Sequence, residues 1–208
     1  MPQLSQAKTL GGIGSIFLLL SFVPAVGWIL AIAGAIMVLV AIKYVSEIVQ
    51  DRSIFNNMLF AIVLGIVGLV VGVVVIVGTV LATLGLGTIS SWFSSGVAGY
   101  AIHPTIPSGD FFSLILGAIS GLAIIWVLLL VSAILVRRSY SSMSQKLGVG
   151  MFGTTGLVYL IGAALTIVIV GIVVLFVALI LNVVAFFSIP DQPTTQPSPQ
   201  QPMQPATT

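Results

Sequence analysis

Residues 58–84 read MLFAIVLGIVGLVVGVVVIVGTVLATL, a run with no charged, amide or histidine side chain. A helix needs about 20 predominantly apolar residues to cross a hydrocarbon core ~30 Å thick. Met58–Leu84 exceeds that, so it predicts a membrane-crossing helix with considerable tilt. Val and Ile abound, but the strands of a membrane barrel alternate apolar and polar positions, and no alternation occurs here. A helix also satisfies its own backbone groups, which hydrocarbon cannot do. Asp51 and Ser53 precede the run, and either side chain can cap its first turn.

Working outward toward the N-terminus, apolar spans run from about Leu10 to Val23 and from Trp28 to about Ile42. Pro24 to Gly27 separate them, since proline opposes helix continuation and glycine permits reversal. Lys43 and Glu47 lie one helical turn apart, which carries the second helix beyond its apolar part. Toward the C-terminus, residues 85–110 predict a long Gly/Ser-rich loop containing Pro104 and Pro107. Its Trp92, Phe93 and Tyr100 suit the membrane interface. A fourth span, Phe111–Val136, ends at Arg137-Arg138 and a polar turn that holds Lys146. Residues 147–188 are too many for one crossing and divide near Gly162–Thr166 into spans five and six. From Pro190 to Thr208 the chain is almost entirely Pro, Gln, Thr and Ser. Such a tail buries too little apolar surface to offset its ordering entropy, and a disordered tail is expected.

The fold expected is therefore all-α: a polytopic transmembrane helix bundle of six spans over residues 1–189, with a tail at 190–208. Lys8 followed by an apolar run and Ala25-Val26-Gly27 also matches a signal-peptide pattern; cleavage there would leave five spans.

Every basic residue (Lys8, Lys43, Arg52, Arg137, Arg138 and Lys146) falls in a break on one side of this topology. The opposite side holds Asp110 and His103. The positive-inside rule turns this into an orientation in the cell membrane with both termini cytoplasmic. With 59% hydrophobic and 5% charged residues, the chain departs from the usual quarter of charged positions, which excludes an ordinary soluble domain. The pI near 9.2 is no sign of nucleic acid, because net charge is +2 and phosphate binding needs many contacts. Cysteine is absent, which removes disulfides and thiolate chemistry.

No ionisable side chain falls inside an expected span, which argues against a proton-coupled pump or voltage sensor. A pore lined by Ser, Thr and backbone stays open as a reading. Asn182 is the most polar residue at depth, with Tyr159, Thr166, Thr154 and Thr155 on span five; hydrocarbon offers no partners, so Asn182 is expected to bond between helices, across the final hairpin. Gly148-Val149-Gly150-Met151-Phe152-Gly153 matches a dinucleotide fingerprint by letter, but lacks the strand before it and the acidic residue after it. Gly68 and Gly72, and Gly117 and Gly121, are small-xxx-small pairs. They serve contact within the bundle or, alternatively, a homo-oligomer. His103 and Asp110 are too few for a metal site, and Asp110 suits a helix cap. Leu10-Gly11 and Gly34 match Leu147-Gly148 and Gly171 at one offset, a candidate parallel repeat. The segment with Lys43, Glu47, Asp51, Arg52, Asn56 and Asn57 is either a solvated connector or a docking patch. No cofactor or catalytic residue is expected; the partners are the lipid bilayer and other membrane or cytoplasmic proteins. A non-enzymatic scaffold or accessory subunit leads the expectation, with a small facilitator for a neutral or weakly polar solute as the alternative.

The stretches Leu4-Ser5-Gln6-Ala7-Lys8-Thr9-Leu10-Gly11-Gly12, Ile42-Lys43-Tyr44 through Asp51-Arg52-Ser53-Ile54-Phe55-Asn56-Asn57, Gly148-Val149-Gly150 and Val184-Ala185-Phe186-Phe187-Ser188-Ile189-Pro190 together carry a resemblance. The chain resembles a largely archaeal membrane-protein family catalogued as domain of unknown function 996. The resemblance implies a multi-pass membrane protein and brings no catalytic or binding residues with it.

Overall fold

The structure, a computed structural model, describes residues 4–94, 108–168 and 170–190. Among them the chain forms six α-helices, one short 3-10 turn and no strand. The helices are α1 (Leu4–Leu20), α2 (Gly27–Ile48), α3 (Arg52–Ser94), α4 (Ser108–Leu147), α5 (Gly150–Leu165) and α6 (Val170–Phe187), with the 3-10 turn at Thr166–Val168. The division of the last apolar stretch near Gly162–Thr166 is thus where the chain turns. His103, Tyr100 and the expected tail from residue 191 onward lie outside the described residues.

Local chemistry sets the turns. At the end of α2, Gln50 adopts a left-handed backbone (φ 55°) and the Asp51 N–H returns to the Ser46 carbonyl at 3.0 Å. This closure satisfies a carbonyl that the last helical turn leaves open. The Asp51 carboxylate then accepts from the Ser53 backbone N–H at 3.0 Å, so Asp51 caps α3 as expected. Between α4 and α5 the reversal falls on Gly148 at φ 68°, a conformation that a side chain would strain.

Three expectations need correction. The long loop is shorter than residues 85–110, because α3 continues to Ser94 and α4 begins at Ser108. A glycine costs a helix only ~1 kcal/mol, less than leaving backbone groups unsatisfied in hydrocarbon. Asp110 is accordingly the third residue of α4 and does not precede it. The polar turn after Arg138 is helix through Leu147, because Val136, Tyr140, Met143 and Leu147 recur at helical spacing and all are buried. Of the candidate repeat, both halves are helical hairpins, α1–α2 and α5–α6, but the aligned Gly11 lies inside α1, whereas Gly148 is the turn before α5.

Each helix packs on its sequence neighbours, and α6 closes on α1, so the six form a ring. Successive helices run in opposite directions, which brings all six basic residues to one end, the basic end. Helices α2 and α3 pack least extensively of the neighbours. The tightest pair is α3 and α4, where Gly72 and Gly121 each face the other's backbone carbonyl and leave no room for a side chain. These glycines are used within the chain.

The core concentrates at the basic end. Ile42, Ile54, Met143, Phe152 and Phe186 are fully buried there. Phe152 stacks edge-on against both Tyr140 (centroids 5.6 Å apart) and Phe186 (5.2 Å), joining α4, α5 and α6. The sides of the ring are apolar and uncovered: Phe60 is 63%, Val74 63% and Phe112 67% exposed. Water would not tolerate such a belt. Helices α2 to α6, with α5 extended by its 3-10 turn, are each long and apolar enough to cross a membrane. Together they point to a multi-pass membrane protein. At 17 residues, α1 is the exception, about 25 Å long and short of the hydrocarbon core.

Candidate functional site

The most polar residue at depth, Asn182, occupies the middle of a chain of hydrogen bonds through three helices. The Tyr140 hydroxyl on α4 donates to Asn182 Oδ1 at 2.8 Å. Asn182 Nδ2 on α6 donates to Ser15 Oγ on α1 at 2.9 Å. The Ser15 hydroxyl in turn donates to the Gly11 carbonyl at 2.7 Å. All three side chains are buried. The expected partner across the final hairpin is therefore corrected: Asn182 bonds to α4 and α1, because α6 packs on α1 as well as on α5.

Next to this chain the ring forms a half-open cavity of about 460 Å³. All six helices line it, represented by Leu18, Val38, Leu69, Leu129, Thr155 and Ala178. Tyr140, Asn182 and Tyr159 lie together in its wall, and no charged residue does. The Ser132 hydroxyl donates to the Ala61 carbonyl and the Thr155 hydroxyl to the Met151 carbonyl, each at 2.8 Å. Thr166 is not part of this group. It sits in the 3-10 turn and donates to the Gly162 carbonyl of its own hairpin at 2.8 Å.

The match to known proteins is broad. A family model described as "Protein of unknown function (DUF996)" matches residues 30–180. The chain belongs to the DUF996 family. An uncharacterised protein of Methanocaldococcus jannaschii is 35% identical over 189 residues, covering 91% of this chain and 94% of its own. No solved structure matches. Within this DUF996 chain the matched segment takes in Tyr140 and Tyr159 but stops short of Ser15 and Asn182.

The other candidate residues form a rim at the basic end. Lys43 and Glu47 pair at 3.9 Å and are about half exposed. Arg52 and Asn56 are exposed, Asp51 and Asn57 half-buried. The Ser53 hydroxyl, at 2.6 Å, holds the Asp51 carboxyl below its ordinary range. Among the described residues, no three His, Cys, Asp or Glu side chains gather where a metal ion could sit. Sequence reasoning missed Ser15 and Tyr140. The helical spacing of Val136, Tyr140, Met143 and Leu147 would have found Tyr140; for Ser15, a lone hydroxyl among apolar neighbours, the sequence offers no comparable signal.

Proposed function

We propose that this DUF996 protein is a non-enzymatic membrane scaffold or accessory subunit. Its basic end faces the cytoplasm, with both termini there, and docks protein partners on the rim from Lys43 to Asn57. The observation that supports this reading is the pairing of a solvated rim with a packed base: Lys43, Glu47, Arg52 and Asn56 are exposed on the same helices, α2 and α3, whose Ile42 and Ile54 pack in one core with Met143, Phe152 and Phe186. A rim fixed on a rigid base presents its donors and acceptors with little ordering cost on binding. The positive-inside rule supplies the orientation. Affinity purification in mild detergent tests the reading. A stoichiometric partner is expected with the native chain and is lost from a variant combining Arg52→Ala, Asn56→Ala and Asn57→Ala. Recovery of only the free protein counts strongly against it.

The alternative, a facilitator for a neutral or weakly polar solute, draws support from the cavity. It requires the aromatic seal of Tyr140, Phe152 and Phe186 to open. Solute flux in proteoliposomes that exceeds protein-free vesicles would favour it over the scaffold.

A further inference from the structure

Tyr159 sets the central cavity apart from an ordinary packing defect. Its hydroxyl has no hydrogen-bond partner among the described residues, although Ser132, Tyr140, Thr155 and Asn182 in the same wall are all engaged. Among the described residues no buried side-chain nitrogen or oxygen lacks a partner, so the Tyr159 oxygen, having none, is not itself buried in packed protein. A phenol can both donate and accept. Asn182 adds capacity: its amide has two hydrogens, and the bond to Ser15 uses one.

The volume and lining say what kind of molecule fits. At about 460 Å³ the space lies within the ~300–1,000 Å³ of small-molecule sites, which are mostly apolar with a few placed polar groups. Water is a poor occupant, because each molecule needs about 2–4 polar partners and the surface of the wall is mostly apolar. A charged molecule is equally unsuited, since no side chain in the wall could compensate its lost hydration. The loosest packing around the cavity lies between α2 and α3. There α2 gives the wall only Ala35 and Val38 while α3 contributes a stripe from Met58 to Leu69.

We propose that the ring binds a neutral long-chain alcohol, its hydrocarbon chain along the α3 stripe and its hydroxyl on Tyr159 and the free amide hydrogen of Asn182. A hydroxyl both donates and accepts, so it meets Tyr159 in either sense and takes the Asn182 hydrogen as well. A bare alkane would leave both protein groups unpaired. A fatty acid would bring a charge that nothing in the wall neutralises. This binding does not depend on the docking rim.

The test uses the full chain in nanodiscs with photoreactive analogues of hexadecanol, hexadecane and palmitate. Saturable labelling by the hexadecanol probe is expected on peptides of α3 and α6, at lower concentration than with the other two. Tyr159→Phe removes only a hydroxyl without a partner, so the fold is retained. It should raise the half-saturating hexadecanol concentration roughly five- to tenfold, the worth of one neutral hydrogen bond, and leave hexadecane labelling as it was. Gly65→Leu points into the cavity with only the Ser132 hydroxyl near its Cβ, at 3.6 Å, and should abolish saturable labelling by both. Equal labelling by all three probes, or a Tyr159→Phe variant that binds hexadecanol unchanged, overturns the proposal.

Discussion

Tyr140 and Asn182, 42 positions apart, meet at 2.8 Å with the phenol donating to the carboxamide oxygen. The pair ties α4 to α6, and through Ser15 to α1, at the level where the aromatic seal gives way to the cavity. A polar residue has survived in the middle of an apolar ring because each of its neighbours answers it.

Breaking that chain at its centre should cost more than trimming its end. Asn182→Leu strands the Tyr140 hydroxyl and removes the donor to Ser15, a loss of about 1–3 kcal/mol for a buried group left unpaired. Tyr140→Phe breaks one bond rather than two and leaves only Asn182 Oδ1 unanswered, which places it toward the lower end of that range. The double variant should cost less than the sum, since the two residues share one interaction. Thermal midpoints read by size-exclusion retention in detergent check the order; a fully additive pair would contradict it.

Glycines on α3 differ by position. A side chain at Gly72 would drive into Ile125 and the Gly121 carbonyl, whereas Gly78 has nothing within 4 Å. Gly72→Leu should therefore lower stability by about 1–3 kcal/mol, as overpacking does, with Gly78→Leu close to neutral. The same thermal assay separates them, and comparable losses at both positions would remove the close-approach argument.

Acid should loosen the start of α3 slightly. The Asp51 carboxyl is held below its ordinary 3.8, first by the Ser53 hydroxyl, while partial burial opposes and the Ser53 N–H and Lys146 assist. Because the folded value is the lower one, this contribution is present above about pH 3.8 and disappears as pH falls through the folded value. The side chain is close to solvent, so the effect on stability is small. Ser53→Ala should move the Asp51 titration, followed by carbon-detected NMR, back up toward 3.8; an unmoved titration would show that Ser53 is not the cause.

Orientation can be read directly, because the chain has no cysteine. Single substitutions Gln50→Cys and Ser142→Cys at the basic end should label from the cytoplasmic side of intact cells only after permeabilisation. Ala98→Cys, outside the described residues, should label without it. The reverse pattern would invert the topology.

Much of this architecture was legible in the residues, and the reasons differ along the chain. Length without charge marked α3 and α4, and Asp51 with Ser53 marked where α3 starts. Lys43 and Glu47 signalled the extension of α2, and they pair as spacing required. Polarity misled at residues 139–146, where Ser139 bonds the Ile54 carbonyl and Tyr140 enters the core. A polar segment was read by its mean, while its fold followed one face. Asn182 could be identified as a bonding residue, but its partners depend on α6 closing against α1, a contact between the two ends of the chain that no local pattern encodes. The cavity was hidden for the same reason, since its wall is shared by all six helices.

The unequal helix lengths carry a mechanical consequence. Trp126 of α4 reaches the carbonyl of Ala164 near the end of α5, at 3.3 Å, so Ser108–Ile125 and the facing part of α3 continue for about 27 Å beyond that level. The molecule thus has a broad cross-section of six helices at one end and a narrow one of two at the other. Over that extension α3 and α4 have chiefly each other as neighbours, so the close glycine contacts at Gly72 and Gly121 carry the alignment of the narrow part.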